Sequence, residues 1–275
     1  MRAYPISAGW VLLLAMVLNG SASAQEATPT ATNGVTSQDL AKSVHNLFED
    51  FVKVPIEADT YFKVGPRHNV GQSLNIEPVF PFHLNSEWDL IARPNLTLTY
   101  LPSPHEQFGL EDLQTLFYLT PSSASEWIWG IGPIFEFPTA TDKQLGTGKW
   151  SIGPNGALVY SNGPWFNEIL AYHLISFAGD RGRAGVSLTY LEPQISYNFE
   201  SGWYVDTDPE MTFDWKANSA DAWTIPVGVD VGKAFNLGSR AMSLQIGSYD
   251  FVKHPRGSAR WMLRVTVTLL FPTTK

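Results

Sequence analysis

Between Trp203 and Trp215 acidic and apolar residues alternate. Asp206, Asp208, Glu210 and Asp214 share one parity with Tyr204 and Thr212, while Trp203, Val205, Met211, Phe213 and Trp215 occupy the other. Successive side chains of an extended chain point to opposite faces, so this spacing stacks four carboxylates into a ladder on one face. Glu192, Gln194 and Asn198 precede the ladder, Arg260 and Arg264 follow it, and Asp89, Arg93 and Asn95 form a further polar set. Two kinds of chemistry are open to such a set. Unpaired carboxylates on the wall of a pore concentrate cations and repel anions. Alternatively the arginines neutralise the acids and fill a narrow interior, a use favoured by the cost of confining unpaired charge.

Catalytic and metal chemistry find less support. His173 and Ser176 lie three residues apart on one extended segment, so they point to opposite faces, and Glu168 also lies opposite His173. His45, His68, His83, His105 and His254 are scattered without metal-ligand spacing. The absence of cysteine excludes disulfides, thiolate metal sites and cysteine nucleophiles. In the stretch Thr139–Gly148, Asp142 and Lys143 could meet a ligand or fold a loop inward. No helix pattern follows its glycines, so it is not a phosphate loop. No enzyme, cofactor or metal is expected. A net charge of -8 argues against a nucleic-acid partner, which would need a basic face.

The elements that must position these residues are strands. Arg2, the apolar run Trp10–Leu18 and Ala22-Ser23-Ala24 read as a cleaved signal peptide over residues 1–24. Residues 25–37 read as a linker, and Leu40, Val44, Leu47 and Phe51 predict a short amphipathic helix from about Gln38 to Val52. The region 25–55 is therefore expected to be linker and helix. From Ile56 the period becomes two. Turn signals at 67–71, 85–86, 102–108, 121–125, 139–148, 161–163, 179–184, 201–202, 217–221, 236–239 and 253–259 divide 56–272 into twelve strands. Those breaks alternate long and short, as extracellular loops and periplasmic turns do.

The composition suits such strands. The 275 residues are 44% hydrophobic but only 16% charged, and the mean hydropathy of -0.08 requires apolar and polar residues to be interleaved. Alternation alone fits a soluble sandwich as well as a lipid-embedded barrel, with the two faces exchanging roles. Strand length, aromatic residues at strand ends and the apolar last strand ending in Phe271 favour an all-β antiparallel transmembrane barrel of about twelve strands with a short N-terminal helix.

Trp129-Gly-Ile-Gly-Pro-Ile-Phe-Glu-Phe-Pro-Thr-Ala-Thr141, followed by Leu145-Gly-Thr-Gly-Lys-Trp-Ser-Ile-Gly-Pro154, resembles a bacterial outer-membrane barrel family. That family is catalogued under the MetA pathway of phenol degradation, and its members are often labelled transporters or neuromedin U. Leu74–Phe82, Glu87–Arg93, Leu191–Tyr197 and Val265–Pro272 also match, so the resemblance covers roughly residues 40–272. It implies an outer-membrane barrel that passes small molecules, and it brings no catalytic residues with it.

The sequence thus predicts an exported outer-membrane barrel acting as a passive channel for an unidentified small solute. Its expected partners are outer-membrane lipid and the export and barrel-assembly machinery. A closed structural or sensing barrel is the alternative; a periplasmic ligand-binding sandwich and a lipid hydrolase stand behind both.

Overall fold

The computed structural model describes residues 36–123 and 125–273. The expected signal peptide and residues 25–35 of the linker lie outside the described residues. The described chain begins with α1 (Ser37–His45) and continues as fifteen strands. These are β1 (Phe51–Val64), β2 (Asn69–Ile76), β3 (Phe80–His83), β4 (Trp88–Leu101), β5 (Gln107–Leu110), β6 (Leu113–Pro121), β7 (Trp127–Phe137) and β8 (Lys149–Asn162). There follow β9 (Trp165–Gly179), β10 (Ser187–Asn198), β11 (Trp203–Thr207), β12 (Met211–Asp214), β13 (Trp223–Leu237), β14 (Arg240–Lys253) and β15 (Trp261–Pro272).

Three pairs among these are single staves with an interruption. Both β2 and β3 pair with β4, so do β5 and β6, and β11 and β12 lie end to end between β10 and β13. The result is twelve antiparallel staves, each beside its sequence neighbours. The ring closes where β15 meets β1, in register from Phe51↔Pro272 to Phe62↔Trp261. Closure pairs the backbone groups that an open sheet would leave bare at its edges.

The period-two pattern sets which face is which. Trp127, Ile131, Ile169, Val229 and Ile246 point outward and are exposed, while Glu136, Asp206, Asp230 and Arg264 point inward and are buried. This is the reverse of a water-soluble sandwich and is the arrangement that suits lipid. The closed barrel therefore resolves the ambiguity that alternation left open.

Links 163–164, 199–202 and 238–239 lie at the rim that carries the start of β1 and the end of β15. Links 138–148, 180–186, 215–222 and 254–260 lie at the other. Long and short alternate clearly from the fifth link onward, but the first four are of nearly equal length. Residues 67–71 were expected to form a turn, but the turn is 65–68, and Gly71 already faces inward within β2.

Inside, one half of the barrel is filled by apolar side chains. Ile91, Leu116, Tyr118, Ile134, Ala157, Leu170 and Leu174 form one buried cluster with Leu47 and Val79. The terminal end holds α1, whose Leu40 and Ala41 pack with Tyr204, Ala234 and Leu270. Thr36 caps the helix: its hydroxyl accepts the Asp39 N–H at 3.0 Å and donates to the Asp39 carboxylate at 2.7 Å. The helix stops at His45 rather than continuing toward Val52, because Asn46 adopts an extended conformation. The strand ladder then claims the chain from Phe51.

Two glycines make room for this end of the chain. A Cβ on Gly130 would lie 2.6 Å from the Phe48 ring, and one on Gly232 would overlap the Tyr204 ring. Any side chain at either position would displace the aromatic that packs there.

Candidate functional site

The remaining interior is a cavity of about 640 Å3. It reaches from Pro102, Pro255 and Ser258 near one rim to His45 and Leu47 at the other end. Seven carboxylates line it against two arginines, one lysine and the His45 imidazole, so its wall has an excess of acid. The inward parity of β1, β2, β4, β10 and β15 places most of these groups.

Arg264 of β15 is almost fully enclosed, at 2% exposure. Its register partner on β1 is Asp59. Nε lies 3.1 Å from Asp59 and 3.2 Å from Glu57, and Nη2 donates to Glu210 at 2.5 Å. Asp208 stands 4.0 Å from Nη1. The guanidinium also lies over the Tyr249 ring, 5.4 Å from its centroid. A planar fork with five donors can serve several carboxylates at once, which a single ammonium cannot.

The interruption between β11 and β12 is what brings Asp208 and Glu210 to this arginine. With the ladder broken there, the Asp208 N–H donates to the Tyr249 hydroxyl at 2.9 Å, and that hydroxyl donates to Asp230. Thr207 Oγ1 donates to the Gly228 carbonyl at 2.9 Å. Side chains thus replace part of the missing strand pairing.

A second ion pair joins Arg93 of β4 to Glu77 in the β2–β3 gap, with Nε to Oε2 at 2.9 Å; Asn95 also donates to Glu77. Beside the cavity the Tyr172 and Tyr190 rings stack at 4.6 Å with an interplanar angle of 4°. The Tyr190 hydroxyl donates to Glu192 at 2.7 Å. At the floor, Lys53 donates to the Asn46 carbonyl, and Gln194 Nε2 donates to His45 Nδ1 at 2.9 Å. The His45 ring meets Tyr204 edge-on at 4.6 Å and Phe166 at 5.8 Å. Burial in this packing pushes the His45 pKa down to about 3, and the Lys53 charge adds to the effect.

The residues expected to line the interior divide into those on the cavity and those away from it. Asp208, Glu210, Glu192, Arg93 and Arg264 line the cavity. Asp206 points inward but is buried behind its surface, paired in register with Asp230 and bonded to Gln194 at 3.2 Å. Asp214 ends β12 and accepts the Lys216 N–H at 2.8 Å, which makes it a turn residue. Arg260 must be corrected: it is exposed in link 254–260, because the β15 ladder begins only at Trp261. In link 138–148, Asp142 accepts the Gln144 N–H at 2.8 Å, while the Lys143 carbonyl accepts from Arg183 at 2.6 Å. The first contact holds the loop itself, and the second ties it to link 180–186.

Sequence reasoning missed Lys53, Glu57, Asp59, Glu77 and the tyrosine pair. Lys53, Glu57 and Asp59 share one parity, so the same period-two test would have found them. Starting the barrel at Ile56 left Lys53 in the region 25–55 expected to be linker and helix and cut the pattern short. Glu77 follows β2 in a gap that alternation within a strand does not reach.

No family model matches the chain, and no curated protein matches it; the resemblance read from the sequence rests on its own residues. Among solved structures, it is similar to an outer-membrane channel from Pseudomonas putida F1, with a TM-score of 0.59 at 12% identity over 81% of this chain and 96% of that one. It is also similar to outer membrane phospholipase A from Escherichia coli, with a TM-score of 0.50 at 12% identity over 88% and 98%. The likeness is one of fold.

The hydroxyl and imidazole weighed in the sequence, Ser176 and His173, fall on opposite faces of β9. His173 lies on the outward face of β9 and contacts Thr189 Oγ1 at 2.9 Å; that oxygen also accepts from Trp215 at 2.9 Å. Ser176 has the opposite parity, and its oxygen accepts the Val186 N–H at 2.9 Å. The barrel wall stands between this imidazole and this serine.

Proposed function

We propose that the chain is an outer-membrane channel through which small solutes pass passively. The observation that carries this reading is the polar cavity enclosed by a barrel with an apolar exterior. The channel-like fold neighbour supports it, as does the leader expected at the N-terminus, which would export the chain. The groups lining the cavity bind, orient and repel, and nothing in this reading requires a reaction. The non-enzymatic reading rests on that lining and on the separation of His173 from Ser176. The phenol pathway named by the family resemblance points to a process rather than a site, so aromatic compounds are not singled out.

Helix α1 and Leu47 floor the cavity, so conduction requires them to move. That floor is also the observation favouring a closed barrel. A cysteine pair decides between the two, since the native chain has no cysteine to interfere. Ala41→Cys with Ala234→Cys joins α1 to β13 within one packed cluster. In planar bilayers the reduced pair should conduct as the parent does, and oxidation should reversibly silence it. A parent that shows no conductance under either condition overturns the channel reading in favour of the closed barrel.

A further inference from the structure

We infer that the cavity contains a recognition site for small organic cations, formed by Tyr172, Tyr190, Glu192 and Glu168. The inference rests on the channel reading and sharpens it by naming a class of solute. All four residues line the cavity. Its lysine and two arginines are already engaged: Arg264 with Glu57, Asp59 and Glu210, Arg93 with Glu77, and Lys53 with the Asn46 carbonyl. Glu192 is bonded to the Tyr190 hydroxyl and has no base within 4 Å among the described residues. Glu168 is only 9% exposed, and its Oε2 has no hydrogen-bond partner among them.

Two carboxylates with no base within 4 Å among the described residues favour a positive ligand and disfavour an anion. The stacked Tyr172 and Tyr190 rings select the kind of cation. Their π faces attract a weakly hydrated organic ammonium, and their bodies cover its apolar part. Among the described residues no group of three His, Asp or Glu is placed to hold a metal ion, so the organic class is the better match. The cavity volume lies within the range of about 300–1,000 Å3 common to small-molecule sites.

The test is calorimetric titration of the full barrel in detergent micelles at low salt. Its probes are choline and the neutral isostere 3,3-dimethylbutan-1-ol. Choline should bind, with the alcohol at least about tenfold weaker, and Tyr172→Leu should weaken choline by several-fold. Glu192→Gln keeps the shape and a partner for Tyr190 while removing the charge, and should weaken choline by about tenfold. Heat-modifiable gel mobility identifies folded variants. Equal affinity for the two probes, no binding of choline, or unchanged affinity in folded Glu192→Gln overturns the site. Binding needs no transport, so a conducting barrel that ignores choline loses the site and keeps the channel. A non-conducting barrel that binds choline does the opposite.

Discussion

Arg264 is enclosed by Glu57, Asp59, Asp208 and Glu210, and all five side chains project from the wall of one cavity or lie just behind it. Removing the arginine strands several carboxylates in a confined space, whereas removing one acid leaves the guanidinium other partners. Arg264→Met should therefore cost about 3–5 kcal/mol of unfolding free energy, the usual penalty for breaking a buried ion pair from one side. Arg264→Lys should cost less, and Asp59→Asn less again. Urea titration of the barrel refolded into lipid vesicles measures this, and a loss below about 1 kcal/mol for Arg264→Met would show that the network does not hold the wall. The identity of this arginine was readable from its parity in the last strand. Its partners were only half readable: Asp208 and Glu210 stood in the ladder, but Asp59 lay on the first strand, where only the closure of β1 on β15 brings it to the arginine.

Helix α1 and the interrupted β11–β12 stave are the elements that depart from a plain barrel, and they were legible to different degrees. The apolar spacing from Leu40 to Leu47 announces a helix, yet it cannot tell a plug from an external arm, because both bury one face. The interruption at 208–210 was marked in the sequence only by Pro209, which cannot donate to a strand ladder; the pairing with β10 and β13 reveals its extent. The cap illustrates a narrower miss. Reading residues 25–37 as linker passed over Thr36, whose hydroxyl and Asp39 bond each other and start the helix. Docking of α1 should depend on pH through His45. Its pKa of about 3 in the barrel lies below the 6.5 of a solvated ring, so the released helix binds the extra proton. Docking is at full strength above pH 6.5 and weakens as pH falls from 6.5 toward 3. A spin label at Lys42→Cys should become more mobile between pH 7.5 and 4.5, and His45→Gln should remove that dependence. A pH-independent spectrum in the parent would exclude His45 as the cause.

For the molecule as a whole, the outward face makes the clearest demand on its surroundings. Val229 stands near the middle of β13, is 52% exposed and points away from the lumen. Val229→Arg should destabilise the barrel by about 2–4 kcal/mol in a bilayer, the range for a cation near the membrane centre. In urea the same substitution should cost far less when the barrel is held in short-chain detergent, which deforms around the charge. Equal costs in the two media would mean that this face does not meet the hydrocarbon core. The number of staves was legible because each strand repeats one simple signal. The functional cavity was less so, because its volume depends on where α1 and the apolar cluster around Tyr118 end.

The joint between β1 and β15 also has a meaning in time. Every other stave meets its sequence neighbour, but Phe51 must find Pro272 at the far end of the chain. Local hairpins form early, whereas this last pairing carries the entropy of the longest loop in the molecule. Until it forms, two raw edges remain, and lipid offers their amides nothing to bond with. The ring must therefore be finished before, or while, it sinks into the bilayer, and the final stitch sets the pace for the whole.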